Sequence, residues 1–138
     1  MAQTLKTECP GCKIDKLARE VENGVTIYDF EFKDGQGEMD ITPDGMVVSR
    51  ETVVQIDDVP SAAREAINQG AANGRVVQVL KEQVRAELVD GKVIKLDNPK
   101  YLYEAELTKG DEAAEIVVSP EGQVIEAPVW KKRRAKQT

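Results

Sequence analysis

Two cysteines spaced as Cys9-Pro-Gly-Cys12 are the residues of this chain whose types and spacing point most directly to chemistry. Thiols separated by two residues form a small disulfide, provide half of a metal site, or exchange with thiols of another protein. They are the only two cysteines among 138 residues, and they lie close together, so we expect an intramolecular Cys9–Cys12 disulfide. Such a bridge is typical of oxidising compartments.

Three other chemistries stay open for Cys9 and Cys12. A redox role needs a thiolate near a helix N-terminus, which a helix beginning near Ile14 would supply. A structural zinc site needs four ligands, but the chain has no histidine and no further cysteine. Only a symmetric dimer, with two cysteines from each chain, would supply all four. Cys9-Pro-Gly-Cys12-Lys13 also resembles a rare c-type haem attachment motif, but the chain lacks histidine for the other haem face. We predict neither a metal nor a cofactor.

The absence of histidine also excludes Ser-His-Asp triads and acid–base catalysis by imidazole. A further alternative is an enzyme that uses carboxylates, since acidic residues are abundant, with 25 in the chain. Glu31 and Glu106, and likewise Asp40 and Glu115, occupy matching places in two similar stretches of sequence. Their positions on strand faces favour solvated surfaces over an active site. We predict that the protein is not an enzyme.

The two similar stretches are residues 28–48 and 103–125. Each stretch begins with alternating apolar and polar residues and continues through a glycine turn. Each ends with the same motif, in which proline, an acidic residue and glycine are followed by any one residue and then by two aliphatic residues. Alternation with a period of two predicts antiparallel strands with one solvated face. We expect the aromatic side chains to lie on the buried faces of these strands: Tyr28, Phe30, Phe32, Tyr101 and Tyr103.

A helical pattern precedes each stretch. Apolar residues recur at positions i, i+3, i+4 and i+7 at Ile14, Leu17, Ala18 and Val21. Because Asn23-Gly24 follows as a C-cap, this pattern predicts a helix that ends there. The same spacing after Pro60 predicts a second helix. Beyond it, Asp90-Gly91 predicts a hairpin turn and Asn98-Pro99 the end of that hairpin.

The predicted fold is α+β, with two repeated units of one helix plus antiparallel strands, which form one sheet with the short helices packed on it. Three sequence segments resemble the PepSY-like family, which is described as having a fold like the beta-lactamase inhibitor protein: Val59-Pro60-Ser-Ala62-Ala63, Tyr103-Glu-Ala-Glu-Leu107 and Ser119-Pro120-Glu-Gly122-Gln-Val124-Ile125. The resemblance implies helices packed on an antiparallel sheet, an extracytoplasmic location, and binding or inhibition of another protein. It does not identify the partner.

On this basis we divide the chain into four parts: an N-terminal segment with the Cys9-Pro-Gly-Cys12 motif (residues 1–11), a first PepSY-like half (12–56), a second PepSY-like half (57–130) and a basic disordered tail (131–138). The tail carries five positive charges, and without them 14 basic and 25 acidic residues leave residues 1–130 with a net charge of −11. The tail is alternatively a contact for nucleic acid or a membrane surface; we predict neither a nucleic-acid partner nor a membrane span. Trp130 either seals the sheet or anchors a partner.

The first ten residues are mostly polar, so we expect no signal peptide in this sequence. We therefore interpret Met1 as an initiator methionine added to a mature periplasmic or secreted chain. The native initiator methionine of a cytoplasmic protein fits the sequence equally well. The predicted function is a non-enzymatic, extracytoplasmic protein-binding or inhibitor-like module. The alternative is a small thiol-redox or metal-responsive protein that uses Cys9 and Cys12.

Overall fold

A computed structural model describes residues 2–133 of the chain. Their two α-helices are α1 (Ala2–Glu8) and α2 (Ser61–Ala71), and short 3-10 helices cover Lys33–Gly35 and Ile56–Asp58. The strands are β1 (Ile14–Glu22), β2 (Val25–Phe32), β3 (Glu38–Ile41), β4 (Val47–Val54), β5 (Arg75–Val89), β6 (Lys92–Lys109), β7 (Glu112–Val118), β8 (Val124–Glu126) and β9 (Lys131–Lys132).

Hydrogen bonding joins these strands into one sheet in the order β1 to β8, with β9 paired to β7. The predicted α+β class, with helices on a largely antiparallel sheet, is confirmed. The described residues divide into two compact units, unit 1 (residues 2–53 and 82–101) and unit 2 (54–81 and 102–133). The hairpin around Asp90-Gly91 therefore belongs with the first unit, whereas the division at residue 56 placed it in the second half.

The helix predicted over Ile14 to Val21 is wrong, because these residues form strand β1. Asn23 and Gly24, interpreted as a helix C-cap, have φ angles of 48° and 80°. Two consecutive positive φ angles are the signature of a type I′ hairpin turn, which joins β1 to β2 with Glu22 opposite Val25. The first of the two predicted helix-plus-strand units therefore lacks its helix at this position.

A β-bulge explains why β1 has the apolar spacing of a helix. Ile14 lies opposite Phe32, but the register shifts between Ile14 and Lys16, so that Leu17 lies opposite Phe30. The extra residue turns the spacing i, i+3 into two side chains on the same face of the strand. Val21 follows four residues after Leu17 and shares that face. A helical pattern thus arises from a bulged strand.

The core of unit 1 lies on both faces of its strands. One face carries a cluster of Phe30, Phe32, Met39, Ile41 and Val47, against which Leu5 of α1 and both cysteines pack. On the other face, Val25, Ile27 and Val48 pack with Leu88 and Val93 of the later hairpin. Helix α1 has only seven residues, none of them buried, so it covers the first cluster only partly.

Unit 2 has the helix that the sequence predicted. Helix α2 buries Ala63, Ile67 and Ala71 on one stripe. These side chains pack with Tyr103, Ala105, Leu107, Ile116 and Val118, which alternate along β6 and β7. Pro60 stands just before the first helical residue, where its missing amide hydrogen costs nothing.

Two further sequence expectations need correction. Asn98 and Pro99 do not end the hairpin, since both lie inside β6, a strand of 18 residues that extends to Lys109. Lys131 and Lys132, placed in the disordered tail, form β9 opposite Ala113 and Glu112 of β7. The tail residues 134–138 lie outside the described part of the chain.

Candidate functional site

The structure contains the predicted disulfide between Cys9 and Cys12, whose Cα atoms are 5.5 Å apart. The Cys9 amide donates to the Leu5 carbonyl at 2.9 Å, and the Cys12 amide donates to the Cys9 carbonyl at 3.1 Å. Both cysteines are half-buried against the cluster that contains Phe30 and Phe32. The bridge therefore closes the turn that leads from α1 to β1 over an apolar surface.

Two arginines hold the end of α1 in place. Arg50 of β4 donates to the Glu8 carbonyl at 2.6 Å, and Arg85 of β5 donates to Glu8 Oε1 at 2.6 Å. The hydrogen bond from Arg85 lowers the pKa of Glu8 against the opposing effect of burial. At the other end of α1, Thr4 donates to the Gly45 carbonyl at 2.8 Å. Polar contacts thus compensate for the small apolar area that a seven-residue helix offers.

This environment favours a structural disulfide. The redox interpretation needed a helix after Cys12, whose N-terminus would lower a thiol pKa. Strand β1 stands there instead, so that contribution is missing. In the described residues, no group of three or more cysteine, aspartate or glutamate residues is arranged to hold a metal ion.

An apolar groove lies beside the disulfide. Its volume is about 430 Å³, and its lining includes Leu5, Cys9, Pro10, Ile14 and Phe32. Ile14 belongs both to this groove and to the apolar face of β1. The groove therefore continues into the row formed by Ile14, Leu17 and Val21, which we call the apolar row.

Strand β1 is the first strand of the sheet, and no other described strand pairs with its outer edge. All nine of its residues are exposed. The three side chains of the apolar row are accessible to solvent, with 44% of Ile14, 55% of Leu17 and 66% of Val21 exposed. A long exposed edge strand with apolar side chains is a template for pairing with another chain.

The register identifies which backbone groups of β1 point outward. A two-residue type I′ turn closes on a hydrogen-bonded pair, here Glu22 and Val25. Hydrogen-bonded and non-hydrogen-bonded pairs alternate along an antiparallel ladder. The amides and carbonyls of Leu17, Arg19 and Val21 therefore point away from β2. Leu17 and Val21 therefore each present an exposed apolar side chain together with outward-pointing backbone groups.

A second feature of unit 1 is a set of carboxylates placed directly opposite one another. Asp29 of β2 faces Asp40 of β3, and Glu31 faces Glu38. The Asp29 atom Oδ1 is buried without a hydrogen-bond partner. The sequence comparison matched Asp40 with Glu115, but strand pairing matches Glu38 with Glu115, which faces Glu106.

These carboxylates differ from the solvated groups that the sequence predicted. Burial is the largest cause that raises the pKa of both Glu38 and Asp40 to about 7, and the negative charge of Asp29 adds to it. Burial also raises the pKa of Asp29, followed by repulsion from Glu20. Like charges directly opposite one another destabilise a sheet. The alternation of acidic residues along these strands is visible in the sequence. Which acidic residues face one another follows only from the register between the strands.

Trp130 lies in unit 2, half-buried against the core cluster that contains Ile67. The Lys109 ammonium lies 4.6 Å from the centroid of the Trp130 ring, within the range of a cation–π interaction. This position is typical of a side chain that seals a sheet. No helix in the described residues combines the length and hydropathy needed to cross a bilayer.

No protein-family model and no curated protein matches the chain. Three solved structures are similar in fold. A predicted periplasmic protein of Bacteroides eggerthii matches with a TM-score of 0.63 and 18% identity over 95% of this chain and 85% of that chain. A DUF2874 family protein of Bacteroides uniformis matches with a TM-score of 0.62 and 18% identity over 91% and 84%.

The third structure is a BLIP-like protein of Bacteroides fragilis, with a TM-score of 0.59 and 14% identity over 99% of this chain and 88% of that chain. At these identities the likeness shows a shared fold. The expected fold like the beta-lactamase inhibitor protein is thus supported at the level of architecture. Membership of the PepSY-like family and an internal repeat stay predictions.

Proposed function

We propose that the protein is a non-enzymatic, extracytoplasmic binding module that pairs its edge strand β1 with another protein chain. The observation that carries this proposal is the exposed edge. Leu17 and Val21 present accessible side chains and outward-pointing backbone groups along a strand of nine exposed residues. An added strand would bond to the backbone, and the apolar row would give specificity.

The extracytoplasmic location has two supports. The Cys9–Cys12 bridge fits an oxidising compartment. The similar structure from Bacteroides eggerthii is described as a predicted periplasmic protein. The inhibitor-like variant of the proposal rests on the likeness to the BLIP-like protein of Bacteroides fragilis.

Substitution at Arg19 tests the proposal. Its amide points outward, so Arg19→Pro removes a donor from the open edge and leaves the pairing with β2 intact. The full chain captures its partner from an envelope extract of the source organism, and Arg19→Pro loses that partner. The matched control Arg19→Thr removes the same charge but keeps the amide, and it retains the partner. Equal capture by both variants would overturn the proposal.

The cysteines distinguish binding from thiol chemistry. Cys9→Ser combined with Cys12→Ser leaves β1 in place, so the binding module retains its partner. A thiol-redox protein would lose all of its activity and its thiol-linked partners. Capture that disappears with the cysteines but survives Arg19→Pro would favour the redox alternative.

A further inference from the structure

The charges along β1 are arranged so that the strand complements itself. It carries positive charge at Lys16 and Arg19 and negative charge at Asp15, Glu20 and Glu22. Lys16 and Glu20 lie at equal distances on either side of Ala18. An antiparallel strand with the same sequence, centred on Ala18, would therefore place Lys16 opposite Glu20 of the second copy, twice.

We propose that the partner chain at β1 is a second copy of this protein, paired antiparallel about a two-fold axis at Ala18. This inference rests on the proposed function, because it names the partner of the same edge. A symmetric pair of this kind buries one surface patch against its own copy, which is the commonest arrangement among protein oligomers.

The backbone allows this register. Hydrogen bonds across the new edge need outward-pointing groups on both strands. Pairing about Ala18 places Leu17 opposite Arg19 of the second copy, and both residues have outward amides and carbonyls. The two symmetric pairs make about four backbone hydrogen bonds at the centre of the interface. Leu17 also lies diagonally across from Leu17 of the second copy, within reach of apolar contact.

Neighbouring registers are less favourable. Pairing about Arg19 sets two arginines directly opposite one another, and pairing about Glu20 does the same with two glutamates. Both place like charges in contact. Pairing about Leu17 places Arg19 opposite Asp15, which lies in the bulge between Ile14 and Lys16, so only the central pair of Leu17 residues is clear of the disrupted ladder. In the register about Ala18, the two hydrogen-bonded pairs of Leu17 with Arg19 lie clear of the bulge, and no like charges stand directly opposite one another.

The apolar row explains why pairing would be stabilising. Its three side chains are 44–66% exposed in the single chain. A second β1 strand covers part of this row and satisfies the outward backbone groups of Leu17 and Arg19. Burial of apolar area stabilises the paired form. Lys16 and Arg19 also give the strand charges that disfavour partners with a basic edge.

Charge exchange tests the pairing at exposed residues of β1. Light scattering of the full chain is expected to show twice the mass of 15.2 kDa at high concentration. Lys16→Glu alone and Glu20→Lys alone each create two like-charge pairs and raise the dimer dissociation constant about tenfold or more. An equimolar mixture of these two variants restores the dimer, because each mixed pair again has opposite charges. The double variant restores it as well.

The outcomes separate this inference from the proposed function. A wild-type chain that stays monomeric at every concentration, or a dimer that Lys16→Glu does not weaken, overturns the second copy as partner. In the first case, capture of another protein that is sensitive to Arg19→Pro leaves the proposed function standing. If Arg19→Pro changes neither the mass nor the capture, both proposals fail. Restoration by the mixture supports the inference, and its absence contradicts the register.

Discussion

Unit 1 and unit 2 are built from similar strand pairs, yet they finish their sheets in different ways. Unit 2 ends in the short strands β8 and β9, of three and two residues, and its helix buries Ala63, Ile67 and Ala71. Unit 1 ends in the nine-residue strand β1, and neither β1 nor α1 buries a residue. The strands β8 and β9 are also exposed, but they are too short to form a long edge. Unit 2 thus has a buried helix and short last strands, whereas unit 1 keeps a long accessible edge of the kind that binding requires.

The paired carboxylates of the two units also differ, because those of unit 1 are less exposed to solvent. Glu106 and Glu115 face one another in unit 2 and are both exposed to solvent. Their counterparts Glu31 and Glu38 in unit 1 are half-buried beside Asp40. Unfavourable electrostatics are thus concentrated near the strands that support β1.

The largest expected effect compares the two helices. Ile67 of α2 is fully buried, so Ile67→Ala lowers the free energy of unfolding by about 3 kcal/mol. Leu5 of α1 is only half-buried, and Leu5→Ala lowers it by about 1 kcal/mol. Urea denaturation of the two variants measures both values. Equal losses would contradict the view that α1 contributes little apolar cover.

The disulfide should matter mainly for unit 1. Replacing both cysteines with serine frees the turn between α1 and β1 and lowers the free energy of unfolding by about 2 kcal/mol. Thermal unfolding with and without reductant measures this loss in the wild type. The variant serves as the control, since reductant should not change its unfolding temperature. A reductant effect on the variant, or none on the wild type, would be inconsistent with a structural bridge.

The paired carboxylates predict an unusual dependence of stability on pH. Glu38 and Asp40 have pKa values raised to about 7, so the folded state holds their protons more tightly than the unfolded chain does. Their contribution to stability is complete below the unfolded pKa of about 4 and is lost as the pH rises through 7. After allowance for solvent screening, we expect the unfolding temperature to fall by about 3 °C between pH 5 and pH 8.

Neutral variants test this explanation. Asp40→Asn removes the charge of Asp40 in a side chain of similar size, so it should reduce the loss between pH 5 and pH 8. Glu115→Gln is the matched control in unit 2, where the carboxylate is exposed. An unchanged pH profile in Asp40→Asn, or a flattened profile in Glu115→Gln, would assign the dependence to other groups.

The smallest effect concerns Trp130. Removing the ammonium above its ring with Lys109→Met should lower the free energy of unfolding by about 0.5 kcal/mol and leave partner capture unchanged. Lys131→Met, at an exposed position of β9, provides the comparison and should change stability less. Loss of capture in Lys109→Met without loss of stability would instead support Trp130 as an anchor.

The sequence predicted unit 2 well because its signals agree with one another. Pro60, the spacing of Ala63 and Ile67, and the alternation from Tyr103 to Leu107 each indicate the element that forms. In unit 1, the turn of Asp90-Gly91 was equally clear, and both of its residues have positive φ. Local preference and tertiary structure coincide at these positions, which is why pattern alone was sufficient.

Unit 1 was harder because two signals were ambiguous. The spacing of Ile14, Leu17 and Val21 fits a helix and equally a bulged strand, and only pairing with β2 separates them. Asn23-Gly24 ends helices and also makes type I′ turns. The open edge followed from these two features together. The pairing of Asp29 with Asp40 depended on register, which no count of acidic residues reveals.

The central claim is that the outer edge of β1 is open in the single chain and closes on a partner strand. Amide hydrogen exchange followed by NMR measures it residue by residue. At low concentration the account predicts slow exchange at Ala18 and Glu20, whose amides bond to β2, and fast exchange at Leu17, Arg19 and Val21. At high concentration the amides of Leu17 and Arg19, which pair with one another in the second copy, should become protected. Uniform protection along β1 at every concentration, or fast exchange at both Leu17 and Arg19 under assembled conditions, would contradict the account.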